Sequence, residues 1–202
     1  MTLTVGIYLF DEVEVLDFAG PFEVFSTASR VHSLLHPGNP KTFQVITVTI
    51  NSSTVTARGR LRVHASHTIN NHPPIDVLVI PGGVVSAQLK LPDVIDWIAR
   101  NAPKATLTAS VCKGAFLLAK VGLFDGKTVT THWEDIHDLR AMFPKVSVVE
   151  NRRWVDAGQI VTSGGISAGI DMSLYLVARL ANHELAVKTA RQMEFDWQYA
   201  GY

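Results

Sequence analysis

The chain holds a single cysteine, Cys112, in 202 residues, so no internal disulfide can brace it. With no thiol pair to oxidise, a location in the reducing cytoplasm is expected. No apolar run approaches the roughly 18 residues needed to span a bilayer. The first residues, "MTLTVGIYLFDEVEVLDF", lack the cationic start and cleavage site of a secretory leader. An excess of positive charge is also missing, because 18 Lys and Arg balance 18 Asp and Glu and no basic run stands out. Neither a nucleic acid nor a membrane is therefore an expected partner. His64, His67 and His72 show no ligand spacing, so no metal and no other cofactor is expected.

What is present is apolar material: 47% of the residues are hydrophobic and only 18% are charged, a balance that favours a buried core over disorder. One domain over residues 1–202 is expected, since no linker, repeat or composition change divides the chain. Short runs of Val, Ile and Leu alternate with segments of helical period, the pattern of βαβ units around a mostly parallel sheet. Expected strands are "LTVGIYLF", "FQVITVTI", "DVLVIPGG", "ATLTASV", "VSVVE" and "QIVTSGG". Expected helices cover residues 17–29, broken near the start by Gly20 and Pro21, then 85–89, 92–100, 113–124, 134–143, 168–180 and 183 onward. The run "VLVI" has no polar alternation, which marks a strand covered on both faces.

Cys112 falls where "ATLTASV" gives way to "KGAFLLAKVGLF", a strand-to-helix junction. Open α/β sheets place their ligands at the carboxyl ends of their strands. The turn residue of such a junction stands where a nucleophile elbow would, and a following helix N-terminus favours thiolate. Ser110, Gly114 and Ala115 are small enough to relieve crowding there. A second strand ends in Gly82 and Gly83, whose N–H groups, with that of Lys113, would suit an oxyanion hole. The plain alternatives are a buried filler cysteine and an ordinary glycine turn.

The stretches "LDFAGPFEVF", "VIPGG", "SVCKGAFLLAKVGLFDGKTVTTHW" and "TSGGISAGIDMSLYLV" carry a resemblance that covers nearly the whole chain in order. Together they resemble the ThiJ/PfpI family of the class I glutamine amidotransferase-like superfamily, with the isonitrile hydratase branch the nearest in chemistry. The resemblance implies a flavodoxin-like three-layer α/β/α sandwich, a homodimer and a small-molecule substrate. It implies Cys112, Asp17 and His132 as catalytic residues, with Gly82, Gly83 and Lys113 at the oxyanion and substrate-binding positions. The pattern breaks at Lys113, where proteolytic members have a histidine and isonitrile hydratases a threonine.

The implied activity is a cysteine-dependent hydratase or hydrolase, such as one converting an isonitrile to an N-substituted formamide. Two alternatives stay open: a glyoxalase-type reaction on 2-oxoaldehydes, and a ligand-binding or cysteine redox sensor related to the N-terminal half of AraC-type regulators. Individual residues keep alternatives too. Asp17 is a helix cap, the proton partner of Cys112, or both. His132, followed by Trp133, is a site residue or part of a packed wall, and the Lys113 ammonium lies beside the thiol or turns outward. Ser167 is a candidate cap. Asp171 is paired internally or lines the site, and Trp197 and Tyr199 close a pocket or a dimer contact.

Overall fold

A computed structural model of the chain describes residues 1–51, 54–197 and 199. In chain order its elements are β1 (Leu3–Tyr8), α1 (Val15–Leu35), β2 (Phe43–Thr49), β3 (Thr54–Thr56), β4 (Arg62–His64) and β5 (His67–Thr68). There follow β6 (Val77–Ile80), α2 (Pro92–Asn101), β7 (Leu107–Val111), α3 (Gly114–Lys120), β8 (Thr128–Val129) and α4 (Ile136–Met142). The last are β9 (Ser147–Val148), β10 (Trp154–Asp156), β11 (Ile160–Ser163), α5 (Ala168–Leu180) and α6 (His183–Gln192).

Seven strands form one sheet in the order β10-β11-β7-β6-β1-β2-β5. Within this sheet, among the described residues, only the β10–β11 pairing is antiparallel. β6 and β7 lie at the centre, and every residue of both is buried, as strands covered on both faces require. Helices α1, α5 and α6 pack on one another, and α2 packs on α3. The result is the expected flavodoxin-like α/β architecture, a mostly parallel sheet flanked by helices. Among the described residues no helix is long and apolar enough to cross a membrane.

Three expectations about the elements change. Helix α1 is continuous from Val15 to Leu35 and is not broken at Gly20 and Pro21. Proline removes one N–H, the partner of the Asp17 carbonyl four residues back, and a single lost bond does not stop a helix packed this tightly. Gly20 serves close approach: a Cβ there would lie 2.9 Å from Ile170 Cγ1 on α5. Secondly, residues 85–89 give no helix, only a single 3₁₀ turn, Gln88–Lys90. Finally, the expected helix over 113–124 ends at Lys120, because Gly122 takes a left-handed φ of 76°.

Small residues dictate how the central connections approach one another. Gly114 opens α3 directly against the end of β6, and a Cβ on it would sit 1.9 Å from the Ile80 carbonyl oxygen. Backbone cannot yield like a flexible side chain. We therefore expect Gly114→Ala to destabilise the fold by at least about 3 kcal/mol in urea unfolding, beyond the usual range of core overpacking. A loss under about 1 kcal/mol would show that the β6–α3 contact is not close.

Candidate active site

Cys112 is the first of the two residues between β7 and α3, and it adopts a left-handed backbone with φ of 53°. Non-glycine residues rarely do so, because Cβ then crowds the following carbonyl. The surroundings hold it there: its N–H faces the carbonyls of Ser163 and Gly164, both at 3.2 Å. Its own carbonyl accepts a bond from the Thr131 hydroxyl at 2.8 Å. The expected elbow is thus present, but the thiol is not exposed on it. Cys112 is 8% exposed and forms part of the lining of a cleft of about 870 Å³.

Asp17 lies behind the thiol, fully buried in the first turn of α1. It does not cap that helix, whose N-cap is Glu14. Its two oxygens instead accept N–H bonds from separate loops, Oδ2 from Gly82 at 3.1 Å and Oδ1 from Ile166 at 3.0 Å. The Cys112 side chain stands beside it, both reaching the space that a Cβ on Gly82 would occupy, and each shifts the other's proton affinity. Burial pushes its carboxyl up to about 7, against the pull of the two amides.

The thiol is pushed up too, first by burial and then by the Asp17 charge, while the Lys113 N–H pulls the other way. The expected thiolate-favouring helix end is outweighed here, first by burial of the sulfur and then by the carboxylate beside it. Two negative charges are thereby disfavoured in one dry place. The pair keeps a proton on the thiol or carboxyl and titrates as a unit.

The remaining residues divide. Gly82 sits against the elbow, where a Cβ would fall 2.5 Å from the Lys113 nitrogen and 2.9 Å from Cys112 Cβ. Its N–H is engaged by Asp17, whereas Gly83 lines the cleft and bridges to Val13. The Lys113 ammonium neither turns freely outward nor stays with the thiol alone: it pairs with Asp135 at 2.8 Å on the cleft wall. That bond to Asp135 raises its proton affinity and keeps it charged. His132 also lines the cleft, with Nδ1 3.8 Å from Asp135, and its ring fills the space where a Cβ on Gly165 would stand.

Asp171 is buried and paired with Arg153, so it supports the fold rather than the cleft. Ser167 holds the N-cap position of α5 as expected but makes no side-chain cap bond, and its hydroxyl accepts a bond from the Arg153 guanidinium at 3.4 Å. Trp197 donates to the Asp171 carbonyl and packs edge-on against Tyr199 and at a tilt against His183, away from the cleft. Sequence reasoning missed Asp135 as the partner of Lys113 and Thr131 as the partner of the Cys112 carbonyl. It also missed Ile166, whose N–H binds Asp17. Neither a backbone donor nor a contact made across the fold leaves a local signal in the sequence. Among the described residues no group of three or more His, Cys, Asp or Glu is arranged to hold a metal ion.

The profile of the DJ-1/PfpI family matches residues 3–179 of the chain. The chain belongs to this family. Over 201 residues it is 33% identical to the isonitrile hydratase of Pseudomonas putida, covering 99% of this chain and 80% of that protein. It is also 23% identical over 193 residues to the HTH-type transcriptional regulator GbdR of Pseudomonas aeruginosa, which covers 96% of this chain but 51% of the regulator. This DJ-1/PfpI domain therefore spans about half the length of that relative. In fold it is similar to a ThiJ/PfpI family protein of Pseudomonas syringae, with a TM-score of 0.84 at 24% identity over 97% of this chain and 76% of that one. DJ-1beta of Drosophila melanogaster matches with a TM-score of 0.80 at 20% identity, over 98% of this chain and 100% of that one.

The raised Asp17 carboxyl has a consequence for stability with a definite sign. Unfolded, the group titrates at about 3.9; folded, it titrates at about 7. Its neutral form is favoured in the fold, so the stability it supports is complete below pH 4 and is lost as pH rises to about 7. Asp17→Asn removes that loss. Urea unfolding should show the variant gaining steadily on the native chain between pH 4 and pH 7 and no further above pH 8. A stability difference that does not vary with pH would contradict the assignment.

Proposed function

We propose that this DJ-1/PfpI protein is a cysteine-dependent hydratase of small electrophiles, with an isonitrile, R–N≡C, converted to the formamide R–NH–CHO. The observation that carries the reading is the buried Cys112 thiol beside a buried carboxyl whose proton affinity lies near neutrality. A group poised near the working pH is suited to both accept and donate a proton during one turnover. Likeness to an isonitrile hydratase along nearly the whole chain supports the choice of reaction.

In this reading Asp17 takes the thiol proton as sulfur bonds to the isonitrile carbon, then delivers that proton to the same carbon. The product is a thioimidate, R–N=CH–S, attached to Cys112. The carboxylate left on Asp17 next accepts a proton from water as the water oxygen adds to the carbon, and the nitrogen takes up that proton. Collapse of the adduct breaks the C–S bond, releases R–NH–CHO and returns a proton to the pair. Overall one water is consumed and the enzyme is restored.

Gly83 and Lys113 supply the backbone N–H donors toward the adduct oxygen in this scheme, because Gly82 is held by Asp17. The Lys113 side chain is not a base here: its pairing with Asp135 favours the charged ammonium. His132 shapes the wall through its packing on Gly165.

A second reading, ligand binding without turnover, draws on the likeness to a transcriptional regulator across 96% of this chain. The two separate in one assay. Native protein and Cys112→Ala are incubated with an alkyl isonitrile and with methylglyoxal, and products are quantified. The hydratase reading expects formamide from the native chain and a loss of at least about 1,000-fold in Cys112→Ala. It expects a loss of about 100-fold or more in Asp17→Asn, the scale of a removed acid–base group. Turnover of methylglyoxal alone, or of neither compound, would overturn the assignment.

A further inference from the structure

We propose that Thr131 is a positioning residue for Cys112, its hydroxyl holding the elbow so that the thiol stays in register with Asp17; this rests on the reading of Cys112 as the nucleophile. A left-handed cysteine persists only where its surroundings hold it, since the conformation is disfavoured by roughly 1–2 kcal/mol. The amide side of Cys112 is weakly held, by two carbonyls at 3.2 Å each. Its carbonyl receives the Ala115 N–H at 3.3 Å and the Thr131 hydroxyl at 2.8 Å, the shortest of these contacts. Thr131 is 2% exposed, so water does not compete for the bond.

The hydroxyl stands on a fixed post. On one side Thr130 donates its N–H to Thr162 Oγ1 and its hydroxyl to the Val149 carbonyl, both at 2.9 Å. On the other, the His132 carbonyl accepts the Asp135 N–H at 2.9 Å. His132 also packs on Gly165, one residue before the Ile166 N–H that binds Asp17. The short segment 130–132 thus contacts both the backbone that carries the thiol and the loop whose amide binds Asp17. Releasing the Thr131 bond frees the elbow to relax toward ordinary backbone angles and draws the sulfur away from Asp17.

Thr131→Val keeps the side-chain shape and removes the donor. The test is a double-mutant cycle read by iodoacetamide alkylation of Cys112 across pH. In the native background Asp17→Asn should move the alkylation midpoint to lower pH, because the carboxylate no longer raises the thiol. In the Thr131→Val background that displacement should fall to less than half, and Thr131→Ser should restore it. Hydratase turnover should drop about 5- to 10-fold in kcat with KM unchanged, the worth of one neutral hydrogen bond. Thr131→Ala gives the same comparison if the valine variant does not fold. Equal displacement in both backgrounds would overturn the positioning role. The alkylation readout needs no substrate, so absent turnover in every form would count against the hydratase reading alone.

Discussion

The site depends on one buried carboxylate gripped by two loops that are far apart in sequence. Asp17 comes from α1, and its partners Gly82 and Ile166 come from the ends of β6 and β11. Each amide bond draws one loop toward the carboxyl, and the elbow of Cys112 is closed between them. Burying an unpaired carboxylate in such a place is strongly unfavourable, so the two amides and the thiol are what make the position tolerable. The same burial sets the chemistry. Solvent is too scarce to stabilise a second negative charge, and the thiol and carboxyl are forced to share a proton.

Close backbone approach is the condition for this convergence. At Gly82, Gly114 and Gly165 an added Cβ would fall within 2.5 Å of a neighbouring atom, so the loops could not meet as they do. The crowding is relieved by glycine in the loops after β6 and β11 and at the start of α3, and concentrated on residues with no such relief. Cys112 at φ 53° and the β-branched Ile166 at φ 57° both take left-handed angles that glycine would adopt freely. Each carries something glycine would lose: the thiol at Cys112, and an apolar side chain facing the cleft at Ile166.

Much of the fold was legible in the sequence because the strongest signals were local. The unbroken apolar run of β6 and the strand ending at Val111 identify the centre of the sheet, and α5 falls at residues 168–180 as expected. Errors arose where tertiary packing overrode a local rule. Pro21 should interrupt a helix, but α1 is held along its length by β2, α5 and α6 and runs through it. At the site, the place of Cys112 at a strand-to-helix junction could be read, and its grouping with Asp17 was implied by the family resemblance. The state of the thiol could not. A helix end argues for thiolate from sequence alone, and only the fold reveals the burial of the sulfur and the carboxylate beside it, which argue more strongly against it. Likewise Lys113 invited two opposite readings until Asp135, 22 residues on, supplied its partner.

Membership of the DJ-1/PfpI family fits these features without dictating a single activity, since similar chains include a hydratase and a transcriptional regulator. What the account adds is a physical statement about the pair at its centre. The most direct measurement is a titration of the Asp17 carboxyl by carbon-detected NMR, in the native chain and in Cys112→Ala. The account predicts a midpoint near 7 in the native protein. It predicts a higher midpoint in the variant, where the thiol no longer favours the carboxylate. A midpoint near the ordinary carboxylate value of about 4, unmoved by loss of the thiol, would contradict it.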